Sequence, residues 1–316
     1  MKEFFEDVRK GLSSAPKYLS SKYFYDAVGD ELFQQLMSAE EYYLSRCELE
    51  ILTEQSDDVV AASSPLEEEF DLIELGAGDA SKSIHLINAF LSVRKNVRYV
   101  PIDISENIIN FLNETLPQTH PGLNLKPLRG EYLEKLKIHS TTSSTQKLVL
   151  FLGSNIGNMD PSDAESFCKE VGAFLKPGDQ LLIGFDLKKN PHQILAAYND
   201  QGGLTRDFNL NLLTRINREL CGNFNLDQFS HYATYDPLSG ACKSFLVSLK
   251  EQTVRFSFEK EDCDVFFEKN EPVFMEVSMK YNVQEISNLA ARTGFKIKNH
   301  FYDSKKWFLD SLWEKI

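Results

Sequence analysis

The residues best suited to chemistry crowd one stretch, Phe70-Asp71-Leu72-Ile73-Glu74-Leu75-Gly76-Ala77-Gly78-Asp79-Ala80-Ser81-Lys82, with Asp103 twenty-five residues beyond Gly78. Glycines at 76 and 78 let a ligand lie against bare backbone, and the helix start that follows offers N–H groups without intrahelical partners. Asp103 closes the apolar run 97–102, and an acid at that strand tip is where a ribose diol is gripped. Ser81 holds the third glycine position of G-x-G-x-x-G, so the close helix packing used around a pyrophosphate is not specified. Glu74 offers an acceptor for an ammonium group and Lys82 a cation for a carboxylate. An amino-acid end joined to a ribose describes S-adenosylmethionine better than NAD.

A second cluster, Gly153-Ser154-Asn155-Ile156-Gly157-Asn158-Met159, follows the most apolar run of the chain, 147–152. Two glycines and two asparagines there are a poor choice for stability alone, and such a loop can bring a carbonyl and a side-chain amide to a substrate's amine and carboxylate. Glu131 and Tyr132 can meet an adenine, the acid accepting from its amine and the ring stacking on it, although without the two motifs at Gly76–Gly78 and Asp103 a plain surface turn is the better reading. The six histidines (85, 120, 139, 192, 231 and 300) show no metal-ligand spacing and read as surface or helix-face residues. The G-x-S-x-G nucleophile elbow is missing, so acyl-transfer hydrolysis has no nucleophile.

These residues need strands that end at one edge and helices that return the chain. The pattern predicts helices over 81–93, 105–116 and 161–175, the last opened by Asp160-Pro161, alternating with strands over 70–75, 97–102, 123–128, 147–152 and 178–187. Such alternation means a parallel sheet with helices on both faces, whose ligands bind beyond the carboxyl ends of the strands. Upstream, Asp30 is expected to cap a helix over 31–37 after a break at Gly29, a longer helix runs from Cys47 toward Val60, and Ser63-Ser64-Pro65 reads as a linker. The segment 139–146 is Ser/Thr-rich and reads as a solvated surface turn. After Asn190-Pro191 the rhythm changes to helices over 191–200 and 205–220 and strands over 231–235, 243–249, 253–258 and 273–280, an antiparallel insertion that caps a substrate. A helix over 283–293 and strands over 296–302 and 306–312 restore the α/β order. The expected division is a substrate-binding domain of 1–45 and 189–279 and a cofactor domain of 46–188 and 280–316.

The net charge of −13 argues against nucleic acid or an anionic membrane as partner, since both need a basic footprint. The five cysteines (47, 168, 221, 242 and 263) are odd in number, widely spaced and without C-x-x-C, so neither a metal site nor a disulfide framework is indicated. The opening residues lack a signal-peptide core and no apolar run approaches ~20 residues, so a reducing cytoplasm is expected.

At this point the sequence resembles a known family, the histidine-specific Nα-methyltransferases of the ergothioneine pathway. The resemblance covers nearly the whole chain and rests on Tyr23-Phe24-Tyr25-Asp26 with Gly29, Glu41-Tyr42-Tyr43 with Arg46, Glu74-Leu75-Gly76-Ala77-Gly78 and Tyr99-Val100-Pro101-Ile102-Asp103. It continues through Phe151-Leu152-Gly153-Ser154 with Ile156-Gly157-Asn158, Ala197-Tyr198-Asn199-Asp200, Phe208-Asn209 with Asn211-Leu212, and Glu276-Val277-Ser278. It implies a class I methyltransferase, a Rossmann-like parallel sheet with a second, substrate-binding domain inserted. The implied activity is methyl transfer from S-adenosylmethionine to the α-amino group of L-histidine, up to three times, giving hercynine. By the same resemblance Tyr25, Gly76, Lys82, Asp103, Glu131 and Tyr132 surround the cofactor, beside Glu74 and Gly78 of the glycine turn. Asn158 and Tyr198 then hold the substrate's amine and carboxylate near the Gly153 carbonyl, while Tyr42, Glu276 and Ser278 read the imidazole. Tyr25 and Asn158 are the expected hydrogen-bond partners of the reacting amine, no metal is implied, and a monomer acting on a small molecule is expected. The chain departs from the family's pattern at Glu131 (more often Asp), Tyr132 (more often Phe), Asn155 (more often Thr) and Phe245, a pocket-wall position more often Met. Phe245 keeps open the same chemistry on another amino acid or amine, and a nucleoside-binding protein without catalysis is the alternative of a different class.

Overall fold

The computed structural model describes residues 1–63, 69–93 and 96–316. Residues 64 and 65 of the expected linker lie outside the described residues. The chain divides into two compact units, the first Met1–Tyr43 with Lys189–Ser278 and the second Leu44–Lys188 with Met279–Ile316.

The second unit is built on one sheet. Its strands run in the order Phe295–Tyr302, Phe308–Lys315, Gln180–Asp186, Gln146–Phe151, Glu69–Leu75, Asn96–Asp103, Asn124–Leu125. The strands from Gln180–Asp186 to Asn124–Leu125 are parallel, and the last two in sequence add antiparallel at the other edge. Leu72, Ile73, Leu148, Val149, Leu150, Leu181, Leu182 and Ile183 are all fully buried, because helices cover both faces of a parallel sheet. The seven strands therefore stand in the order third, second, first, fourth, fifth, seventh, sixth. The direction of winding reverses between Glu69–Leu75 and Gln146–Phe151.

Several expectations need correction here. The helix placed after Asp30 starts at Ala27, capped by Asp26, whose carboxylate accepts from the Gly29 N–H at 2.8 Å. Gly29 does not break that helix; it lies inside it, where a Cβ would run into the Phe24 carbonyl oxygen. The long helix from Cys47 is two, Tyr43–Glu54 and Ser56–Ala62, parted at Gln55. The strand expected over 123–128 is two short pieces, Asn124–Leu125 and Leu128–Arg129, since Pro127 between them has no N–H to donate. The first half of the turn expected over 139–146 is helical: Tyr132–Thr142 forms a helix that buries His139, whose Nε2 lies 2.7 Å from Asp71 Oδ2. One buried partner made a weakly amphipathic, Ser/Thr-rich segment a helix that its composition disguised.

In the first unit a four-stranded sheet runs Lys17–Tyr18, Pro272–Met279, Ala241–Ser248, Phe229–Tyr235. Lys17–Tyr18 joins Pro272–Met279 in parallel, so this region is not purely antiparallel as expected. The strand Glu261–Phe267 was not foreseen; it pairs with Gln252–Phe258 across a turn at Glu259-Lys260 that has no glycine or asparagine to announce it. Helices Lys2–Leu12, Ala27–Ser38 and Leu204–Glu219 flank a core of Phe5, Phe24, Leu212, Ile216, Leu246 and Phe256.

Candidate active site

In the second unit the glycine turn sits at the reversal of strand order. Gly76 follows Glu69–Leu75 and Gly153 stands just beyond its parallel neighbour Gln146–Phe151, so both leave the sheet at the same edge, where open α/β sheets take ligands. Both have a left-handed backbone, with φ of +74° at Gly76 and +75° at Gly153. A Cβ at Gly76 would fall 2.8 Å from the Tyr132 hydroxyl and 3.5 Å from the Asn155 side-chain nitrogen. One at Gly153 would fall 3.5 Å from that same nitrogen and 3.7 Å from Lys82 Nζ. Gly76, Tyr132, Asn155, Gly153 and Lys82 thus share one corner of bare backbone.

Gly78, with φ +53°, faces open space and donates its N–H to Asp103 Oδ2 at 3.2 Å, while Oδ1 accepts from the Ser105 N–H at 2.9 Å. Burial raises the Asp103 carboxyl against the pull of these N–H groups. Each of its oxygens has a second lone pair for a ribose hydroxyl. Bare backbone, a paired acid and a lysine fit the adenosyl and amino-acid ends of S-adenosylmethionine. Glu74 faces inward: its Oε2 accepts from the Tyr99 hydroxyl at 2.5 Å. Burial pushes its carboxyl up to about 7, against hydrogen bonds from Tyr99 and Ser83. Glu131 is exposed at the N-cap position of the Tyr132–Thr142 helix and makes no capping bond. Asn158 is exposed at the end of the single 3₁₀ turn Asn155–Asn158. Gly157 has a packing reason, since a Cβ there would lie 2.9 Å from the Met279 carbonyl oxygen.

In the first unit four of the residues expected at the substrate or cofactor, Tyr25, Tyr42, Tyr198 and Ser278, are linked in a chain through Phe33. Tyr25 and Phe33 rings lie 5.6 Å apart, Phe33 and Tyr42 6.3 Å, and Tyr42 and Tyr198 6.3 Å, all edge to face. The Tyr198 hydroxyl donates to Ser278 Oγ at 2.7 Å. Two residues earlier on the same strand, Glu276 accepts from Ser244 Oγ at 3.3 Å. Phe245 sets its ring 5.9 Å from that of Phe274. Other matched motif residues hold the scaffold. Asp26 takes hydrogen bonds from Asn211 at 2.8 Å and Arg218 at 2.6 Å, and Asp200 takes the N–H groups of Leu204 and Thr205 at the start of their helix.

Three residues were missed. Glu48 is fully buried, pairs with Lys82 and accepts from the Gly153 N–H at 2.6 Å. A signal was available: Glu48 shares a helical stripe with Leu44, Cys47, Ile51 and Leu52, where an acid is out of place. Asp310 is fully buried on Phe308–Lys315, inside the run Phe308-Leu309-Asp310-Ser311-Leu312. Ser244 is buried beside Glu276, with nothing in its sequence neighbourhood to mark it.

Strand order, reversal point and glycine turn together define a Rossmann-like α/β unit with a nucleoside-type site at the reversal. More narrowly, the chain belongs to the family of histidine-specific, S-adenosylmethionine-dependent methyltransferases, which it matches over residues 4–315. It is 35% identical over 291 residues to the histidine N-alpha-methyltransferase of Mycolicibacterium smegmatis, covering 92% of this chain and 88% of that one. Its identity to the enzyme of the same name from Mycobacterium tuberculosis is 34%, over 91% and 87% of the two chains. A more distant relative, an L-tryptophan methyltransferase of Psilocybe serbica, is 26% identical over 94% of this chain and 89% of the other.

Proposed function

We propose that this protein methylates the α-amino group of L-histidine, up to three times, to give the trimethylated betaine hercynine. One observation carries the reading: an acid and a hydroxyl two residues apart on one strand, Glu276 and Ser278, are each held by a hydrogen bond, Glu276 from Ser244 and Ser278 from Tyr198. An acid accepts an imidazole N–H, and a hydroxyl serves either ring tautomer. The likeness to two histidine N-alpha-methyltransferases over most of the chain supports the same substrate.

S-adenosylmethionine, when bound, supplies a methyl group on a sulfonium that needs little acid assistance to leave. In this reading Lys82 takes its carboxylate, Asp103 its ribose, and Gly76, Gly78, Tyr132 and Glu131 flank the nucleoside, with Glu74 behind the turn and Tyr25 also placed at the cofactor. Tyr42 lines the imidazole pocket, Tyr198 takes the substrate carboxylate, and Asn158 with the Gly153 carbonyl takes the amine. Transfer needs amine and sulfonium held in line, an arrangement that contributes roughly 7–11 kcal/mol. The amine must first lose a proton; an α-amino group of a chain titrates near about 8 and a free amino acid's lies higher. In this reading Asn158 and Tyr25 serve as its hydrogen-bond partners, with water taking the proton. Tyrosine rings tolerate the growing ammonium charge through contacts of about 0.5–2 kcal/mol. The domain assignment follows: residues 1–45 and 189–279 serve the substrate, and 46–188 and 280–316 serve the cofactor. The same reading has the chain acting in the cytoplasm as a monomer without nucleic acid, which its charge of −13 supports. Among the described residues no helix is long and apolar enough to cross a membrane.

A second reading, the same chemistry on another amino acid, draws on the Phe245–Phe274 contact and on the tryptophan-methylating relative. Incubation with S-adenosylmethionine and either histidine or tryptophan, followed by mass spectrometry, separates them. Histidine should gain successive methyl increments and tryptophan none; methylated tryptophan with unchanged histidine would reverse the assignment.

A further inference from the structure

Outside the residues already given roles, the most unusual chemistry in the second unit is a buried group of three carboxyls around one ammonium. Glu48, from Tyr43–Glu54, and Asp310, from Phe308–Lys315, are fully buried, and Glu74 nearly so. Lys82 stands among them, just ahead of the helix Ser83–Val93, with its ammonium on Glu48. Such a group cannot be fully ionised away from water. Burial, reinforced by the Glu48 charge, pushes Asp310 well above the usual carboxylate range, and both its carboxyl oxygens are buried without a hydrogen-bond partner. Burial works against the Lys82 charge, but the Glu48 carboxylate overrides it and holds Lys82 raised. Lys82 thus pairs with Glu48, while Asp310 and Glu74 are the two neighbouring carboxyls that burial pushes up. The Tyr99 and Ser83 hydroxyls also face this cluster, both directed at Glu74.

Glu48 is divided between two partners. Its Oε2 takes the Lys82 ammonium and its Oε1 takes the Gly153 N–H at 2.6 Å. A Cβ at Gly184, on the strand beneath, would strike Oε1, so the carboxylate is seated in a slot that only glycine leaves open. One carboxylate therefore ties the lysine expected at the cofactor carboxylate to the N–H of Gly153, the residue whose own carbonyl, one peptide further on, is expected at the substrate amine.

We propose that Glu48 is a positioning residue that sets Lys82 and the backbone of Gly153, held at its N–H, jointly, so that occupancy of the cofactor site is felt at the substrate loop. This rests on the assignment of Lys82 to the cofactor made above. The test is a double-mutant cycle on S-adenosylhomocysteine binding by calorimetry, with Glu48→Gln, Lys82→Met and both together. Glutamine keeps an acceptor for the Gly153 N–H but loses the charge that holds Lys82. A charge-assisted contact is worth about 1.5–3 kcal/mol, so Lys82→Met should weaken binding at least about tenfold in the wild-type background. In the Glu48→Gln background the same change should cost less than about threefold, because contacting groups are non-additive. An equal factor in both backgrounds overturns the proposal, whereas failure of the wild-type protein to bind S-adenosylhomocysteine overturns the cofactor reading instead. A second measurement needs no change at Glu48: the Gly153 amide resonance in ¹⁵N-labelled protein should shift in Lys82→Met, and an unmoved resonance refutes the link.

Discussion

Replacing Glu276 by Gln is the sharpest perturbation of the substrate reading. Glu276 lies half-buried between the buried residues Met275 and Val277, and its Oε1 accepts from Ser244 Oγ at 3.3 Å. Glutamine keeps that acceptor, so the Ser244 hydroxyl stays satisfied while the negative charge is lost. A hydrogen bond to a charged group contributes about 1.5–3 kcal/mol, which converts to roughly 10–150-fold weaker histidine binding. The imidazole is remote from the transferred methyl, so the loss should appear in KM with kcat little changed, as for any contact made equally in ground and transition states. Steady-state kinetics over a histidine range, paired with calorimetry of S-adenosylhomocysteine, reads both sides. Glu276 belongs to the first unit and Lys82, Gly76 and Asp103 to the second, so cofactor affinity should stay within about twofold. Alanine is the informative contrast: it leaves the buried Ser244 hydroxyl without this acceptor and should lower stability by about 1–3 kcal/mol as well. Unchanged histidine affinity in Glu276→Gln, or equal loss for histidine and cofactor, would remove Glu276 from the imidazole.

Gly76→Ala forces a left-handed backbone on a residue with a side chain and places its Cβ 2.8 Å from the Tyr132 hydroxyl. Stability should fall by about 1–3 kcal/mol and S-adenosylhomocysteine affinity by at least about tenfold, read by denaturation and calorimetry; unaltered affinity would place the cofactor elsewhere. Asp71→Asn tests the network at the opposite end of the same strand, where Asp71 meets Arg98 at 2.6 Å, His139 at 2.7 Å and Ser143 at 2.9 Å. Burial works to raise this carboxyl, but those partners bring it down to about 2. A folded-state value below the unfolded one stabilises the protein fully above about pH 4 and is lost as pH falls through about 2. Chemical denaturation should therefore show the variant roughly 2–3 kcal/mol less stable at pH 6, with the gap closing in acid; a gap independent of pH would mean the carboxylate's charge contributes nothing.

What the amino-acid sequence discloses depends on how far each contact reaches. Leu148–Phe151 is legible because a parallel strand buried on both faces is apolar along its length, and Phe70–Leu75 reads the same way around its two buried acids, Asp71 and Glu74. Asp103 is legible because its distance from Gly78 is set by one helix and one strand. His139 is not, because a single partner sixty-eight residues away decides its burial. Glu48 was legible in part: the apolar stripe around it signals burial, but its partners, Lys82 and Gly153, come from other elements. Glu276 and Ser278 stand at the other extreme. Alternation along a strand puts them on one face and says nothing of an imidazole, so only the family resemblance gave them a role.

The loop from Gly153 to Asn158 shows how structural and chemical demands divide one run of residues. Its composition reads as a binding loop throughout, yet Gly157 is required by the Met279 carbonyl and Ser154 is buried, its Oγ accepting from the Asp186 N–H at 3.3 Å. Those two contacts fasten the loop to neighbouring strands. Gly153 at φ +75° and Ser154 at φ +56° then form two consecutive left-handed residues, a costly conformation for serine. That conformation turns the chain so that the side chain of Asn155 lies over the Gly76 and Gly153 backbones, while Asn158 ends exposed one turn later. A loop selected for stability alone would have no use for the strain at Ser154. Under the proposed function the loop offers a peptide carbonyl at 153 and an amide at 158 from a rigid base, and that role would account for both the strain and the two fastenings that sustain it.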